Sequence, residues 1–147
     1  MKNDRSIWFT SLAIKAALVL CVISLFVMPY AARIYRDLSI QDGDVTVPLL
    51  ITFYSCAAVG IYILITLDRL VYNIKKGEVF IEGNVKLLRG LSYSCFIIAF
   101  ITLIFAHFRF LSFIVTFSAC FFGLILRVIK NCFTEAVALR EENDQTI

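Results

Sequence analysis

The segment from Val47 to Leu67, VPLLITFYSCAAVGIYILITL, runs without a charged side chain until Asp68-Arg69 closes it. As a helix rising 1.5 Å per residue it is about 30 Å long, the thickness of a bilayer's hydrocarbon core. Pro48 stands in its first turn, where a missing N–H costs nothing. Lipid dictates the helix, because a strand exposed to hydrocarbon leaves backbone groups unpaired.

Three more segments share this character. Ala16 to Ala32 reads AALVLCVISLFVMPYAA between Lys15 and Arg33, Gly90 to Ala106 reads GLSYSCFIIAFITLIFA, and Phe110 to Leu126 reads FLSFIVTFSACFFGLIL. Each sits at the lower length limit for a span, so flanking Lys and Arg stems must snorkel to the headgroups. Lys2 and Arg5 resemble the basic leader of a cleaved signal. The apolar run is too long for one, however, and Tyr30 stands where cleavage needs a small residue. The segment is therefore expected to remain as a span. Composition agrees: 61% of the 147 residues are hydrophobic and 17% charged, against about 45–50% and 25% in soluble domains.

Orientation follows from Lys and Arg in the short flanks. Lys2, Arg5 and Lys15 precede the first span; Arg69, Lys75, Lys76, Lys86 and Arg89 separate the second and third; Arg127, Lys130 and Arg140 follow the fourth. Only Arg33, Arg36 and Arg109 lie on the other side. Both termini are expected in the cytoplasm. The expected fold is all-α, a single domain over 1–147: an antiparallel bundle of four transmembrane helices, spans about 16–32, 47–67, 90–106 and 110–126. Cytoplasmic helix extensions are expected over about 68–89 and 127–147. Only His107-Phe108-Arg109 joins the last two spans, a tight hairpin. Asp42-Gly43-Asp44 marks a turn in the longer outer loop, and Pro29 is expected to bend the last turn of the first helix.

The extensions carry the informative residues. The second helix runs on through Lys75-Lys76 to Gly77, a stop in which cations suit the negative dipole end and glycine supplies a left-handed cap. Glu78-Val79-Phe80-Ile81 reads as a short extended link, and Glu82 opens the third helix. From Arg127 to Arg140, Ile129, Cys132, Phe133, Ala136, Val137 and Leu139 recur at helical spacing and make an amphipathic rod. Glu141-Glu142-Asn143-Asp144-Gln145-Thr146-Ile147 ends the chain, polar until its last residue. These rods either pack on one another and extend the bundle or present a docking surface with Phe80 as anchor.

Chemistry-bearing patterns are scarce. Cys21, Cys56, Cys95, Cys120 and Cys132 form no CxxC pair, and four of them lie in apolar runs where a thiol packs as a small hydrophobe. His107 has no carboxylate or cysteine near it, and Asp42 and Asp44 lack the further ligands of a calcium loop. Asp68-Arg69 reads as a local ion pair or orientation anchor at the inner end of the second span. Gly60 and Gly123 are isolated, although Ala57 and Ala58 allow close helix approach. No span holds a carboxylate of the kind a proton-coupled carrier needs. No enzymatic activity, cofactor or metal site is expected.

Two motifs carry a family resemblance. Ile74-Lys75-Lys76-Gly77-Glu78-Val79-Phe80, followed by Asn84-Val85-Lys86-Leu87-Leu88-Arg89, resembles the middle segment of a bacterial four-helix membrane family of unknown function (domain-of-unknown-function family 2975). The acidic ending Glu141, Glu142, Asn143, Asp144 is similar to that family's own, and the likeness spans essentially the whole chain. Val79 and Ile81 depart from it, standing where the family often has Pro and a capping Ser or Thr; Ile81 cannot cap.

The resemblance implies the bacterial cytoplasmic membrane and, because members are often encoded beside a Cro/C1-type helix-turn-helix regulator, a cytosolic protein partner. The expected partner-binding residues are Gly77, Glu78, Phe80, Asn84, Arg89, Phe133, Glu141, Glu142, Asn143 and Asp144. Partners are then the lipid bilayer, that helix-turn-helix regulator and, as an open alternative, further copies of the chain in a homo-oligomer. Direct nucleic acid binding is not expected. The competing function class is a small transporter, channel or peptide-immunity protein, and a third is an assembly subunit without independent activity.

Overall fold

The computed structural model describes residues 2–38, 46–107, 110 and 112–146. The Asp42-Gly43-Asp44 turn, Phe108, Arg109 and Ile147 lie outside the described residues. The elements are α1 (Lys2–Leu38), α2 (Thr46–Lys75), α3 (Glu82–Ala106) and α4 (Ser112–Gln145). All four are long and apolar enough to cross a membrane, each holding a stretch of mean hydropathy between 1.9 and 2.4. The chain is a multi-pass membrane protein. At 1.5 Å per residue the 37 residues of α1 and the 34 of α4 reach about 55 and 50 Å, well beyond a core of about 30 Å.

The helices pack in chain order. α1 lies on α2, α2 on α3, and α3 on α4, and among the described residues no other pair of helices brings its backbones close. The sense is antiparallel throughout: Thr102 meets Thr116 while Ser92, ten residues back, meets Gly123. α3 is the central rod, with ten buried residues against three on α2 and two on α4. Its Leu88 and Leu91 join Leu70 of α2 in a small core flanked by Ile63, Leu67, Ile74, Leu126 and Phe133. α1 is held along one side, with Ile14 and Ala32 buried. Phe26 stays 74% and Phe117 75% exposed, as lipid-facing rings must when helices meet on only one or two sides.

Several polar groups within the spans are spent on carbonyls or across helices. Thr66, Ser94 and Ser118 return their hydroxyls to the carbonyl one turn earlier. Others rivet neighbouring helices. Ser92 Oγ donates to the carbonyl of Gly123 at 2.8 Å, and the Thr102 and Thr116 hydroxyls share a bond of 2.9 Å. Such bonds are each worth about 0.6 kcal/mol within a membrane. They fix register more than they add stability.

Pro29 does not lie in the last turn of its helix: α1 continues through it to Leu38. Proline removes the N–H that would bond the carbonyl four residues back, here Leu25. Tyr54 of α2 donates its hydroxyl to that carbonyl at 3.0 Å. The neighbouring helix satisfies the group that proline orphans, as lipid requires. Two other expectations need correction. Asp68 makes no ion pair with Arg69; it is half-buried in a groove with Lys15 and Lys75, while Arg69 is exposed. The expected extensions of α2, α3 and α4 are joined by a fourth at the end holding the 75–82 link, because α1 begins at Lys2.

Gly123, isolated in sequence, sits at the α3–α4 crossing. A Cβ there would stand 3.2 Å from the Phe96 ring and 3.3 Å from Cys95 Cβ. The G123L variant is expected to force α3 and α4 apart and cost about 1–3 kcal/mol, the usual range for overpacking. Thermal denaturation in detergent measures it, and G60L, whose site is open, should melt close to wild type.

Candidate functional site

The expected partner-binding residues concentrate around the α2–α3 link. The end of α2 is closed by a pair of bonds: Gly77 N–H to the Ile74 carbonyl at 3.0 Å, and Glu78 N–H to the Asn73 carbonyl at 3.1 Å. This Schellman closure needs a left-handed residue, and Gly77 supplies it at φ 81°. Lys76 Nζ rests 4.6 Å from the centroid of the Tyr72 ring, a cation–π contact on the last turn. The link then runs extended to Ile81 (φ −129°, ψ 149°), which precedes α3 without a side-chain cap.

Asn84 holds the link by other bonds, to carbonyls rather than to the N–H groups a cap would serve. Its side chain is fully buried, and it donates from Nδ2 to the carbonyls of Glu78 and Val79, both at 2.8 Å. Its Oδ1 accepts from Asn73 Nδ2, also at 2.8 Å. Two carbonyls facing one nitrogen fix the amide's orientation by chemistry alone. One residue thus ties the end of α2, the link and the first turn of α3.

The far side of the link meets α4. The rings of Phe80 and Phe133 lie 5.3 Å apart, tilted by 54°, and Arg140 Nη1 reaches the Phe80 carbonyl at 3.4 Å. Phe80 nevertheless keeps 43% of its surface open. Beyond it, a groove of about 250 Å³ between α3 and α4 is lined by Arg89, Val85, Val137 and Glu141, among others. The structure therefore gathers Gly77, Glu78, Phe80, Asn84 and Phe133 in one knot and sets Arg89 and Glu141 along the adjoining groove. Glu142, Asn143 and Asp144 continue the exposed end of α4 away from the knot.

Two contributors escaped the sequence. Asn73 pairs with Asn84, and Arg140 reaches a backbone carbonyl 60 residues earlier; neither has a spacing that announces it. The amphipathic face of α4 is also narrower than expected: Phe133, Ala136 and Val137 turn inward, whereas Ile129, Cys132 and Leu139 remain exposed. Of the other helices only α3 lies along this rod, and a single helix shields only one stripe. Among the described residues no three His, Cys, Asp or Glu side chains converge as a metal site would require.

A family model described as a protein of unknown function (DUF2975) matches residues 12–147. The chain belongs to this family. That description carries no activity, and the match takes in the link, both asparagines and the acidic end of α4. No curated protein and no solved structure matches the chain.

The Phe80–Phe133 contact can be weighed by a double-mutant cycle. F80A, F133A and the pair, unfolded in mixed micelles, are expected to show a coupling of about 0.5–1.5 kcal/mol, the range for tilted aromatic pairs. Strict additivity would place the link free of α4.

Proposed function

We propose that this protein is a non-enzymatic membrane regulator in the bacterial cytoplasmic membrane, holding a cytosolic protein on the end built from the α2–α3 link and α4. Eleven of its fourteen Lys and Arg flank that end, and by the positive-inside rule it faces the cytoplasm. The observation that carries the reading is Phe80: a large ring, nearly half open, held in place from behind by Phe133 and by the link that Asn84 fixes. Aromatic anchors fixed before binding lose little entropy on docking and dominate interface energies.

The exposed carboxylates Glu141, Glu142 and Asp144 supply the second element. A basic surface complements them, and a helix-turn-helix regulator presents one where it contacts phosphates. Occupying that surface would keep the regulator from DNA, so gene expression would change without any reaction at the membrane.

Capture of a purified Cro/C1-type helix-turn-helix regulator by the full-length protein in detergent tests the reading. F80A and E141Q/E142Q/D144N are each expected to weaken capture about tenfold or more. Absence of capture by the wild type overturns the proposal.

A further inference from the structure

A second feature of the same end is independent of any protein partner. Where the apolar segments of α3 and α4 stop, Arg89, Arg127 and Lys130 converge with Ser92 and Tyr93 around a cavity of about 40 Å³. Arg89 directly precedes the apolar run of α3 and Arg127 directly follows that of α4, so both stand at headgroup level. None of the five lining residues is acidic. Glu82 and Glu141 lie in the adjoining groove that Arg89 also borders, but neither comes within ion-pair distance of Arg89, Arg127 or Lys130.

Three cations gathered around one cavity repel one another, and an anion among them relieves that repulsion. The Ser92 hydroxyl is committed to the Gly123 carbonyl and holds the two walls together. Tyr93 is exposed beside it, an amphipathic ring at the depth where such rings settle. The cavity accepts roughly three water-sized groups, the scale of the free oxygens of a phosphate. Guanidinium forks bind phosphate oxygens in pairs, and a lysine adds a point charge.

We infer that Arg89, Arg127 and Lys130 form a binding site for one phosphate group at the membrane surface, carried by an anionic lipid headgroup or by a soluble phosphate. Basic pockets between transmembrane helices take lipid phosphates by this chemistry. The site also clamps α3 to α4 just below the Ser92–Gly123 bond, where α4 leaves the bilayer, so occupancy steadies the base of the extension.

Native mass spectrometry of the full chain from neutral detergent reads the site after addition of phosphatidylglycerol, phosphatidylcholine or inorganic phosphate. R127Q/K130Q is expected to retain the anion about thirtyfold more weakly than wild type, from about fivefold per surface cation. R127K/K130R, which keeps the charge, and K75Q/K76Q, which removes the same charge elsewhere at that end, should retain it. This pattern with phosphatidylglycerol, and not with phosphatidylcholine, assigns a lipid headgroup; the same pattern with inorganic phosphate alone assigns a soluble group. Equal retention by wild type and R127Q/K130Q, or an equal loss in K75Q/K76Q, overturns the site.

Discussion

The buried amide of Asn84 is the constraint on which this end of the molecule turns. Six residues must lead the chain out of α2 and back into α3, and two of their carbonyls, those of Glu78 and Val79, face the buried amide of Asn84. A carbonyl buried without a partner costs about 1–3 kcal/mol. Asn84 satisfies two such carbonyls and holds Asn73 besides. With the link fixed, Phe80 has one place to stand. With Phe80 placed, Phe133 and Arg140 have something to pack on, and α4 is set against the link rather than swinging free of it.

Everything above the link obeys lipid. Helices in hydrocarbon gain little from burying apolar area against each other, so α1 to α4 need not close into a compact core, and they meet in chain order instead. Contacts are then set by close approach and by a few polar groups. Gly123 gives α4 its approach to α3, and the Ser92 and Thr102 hydroxyls fix the register. Tyr54 serves α1 in the same way by answering the carbonyl that Pro29 orphans. Sub-stoichiometric polar contacts of this kind leave wide apolar faces, which the bilayer covers.

The layout was legible in the sequence because lipid writes a coarse pattern: four uncharged runs and charges at their edges. The Gly77 stop and the Glu82 start were legible too, since a left-handed cap and a dipole-matched first turn are local rules. What escaped depends on side chains distant in sequence. Gly123 looked partnerless because its partners are Cys95 and Phe96, not another glycine. Asp68-Arg69 read as a local ion pair or an orientation anchor; the ion pair does not form, because successive helical residues point apart and Asp68 turns to the α1 groove. The helical start at Lys2 was hidden by the polar opening Lys2 to Ser6, which lies outside the uncharged run that marks the span. Asn84 stood out by motif, but its triple role emerged only with the link folded around it.

Hydrogen exchange of the full chain in lipid nanodiscs, wild type against N84L, tests the coupling most directly. Loss of the amide should release the Gly77 and Glu78 N–H groups and the first turn of α3, and with Phe80 unseated the protection of residues 130–145 should fall as well. Exchange within the apolar spans should stay unchanged. If residues 77–85 and 130–145 exchange alike in both proteins, Asn84 does not hold this end together and the account is wrong.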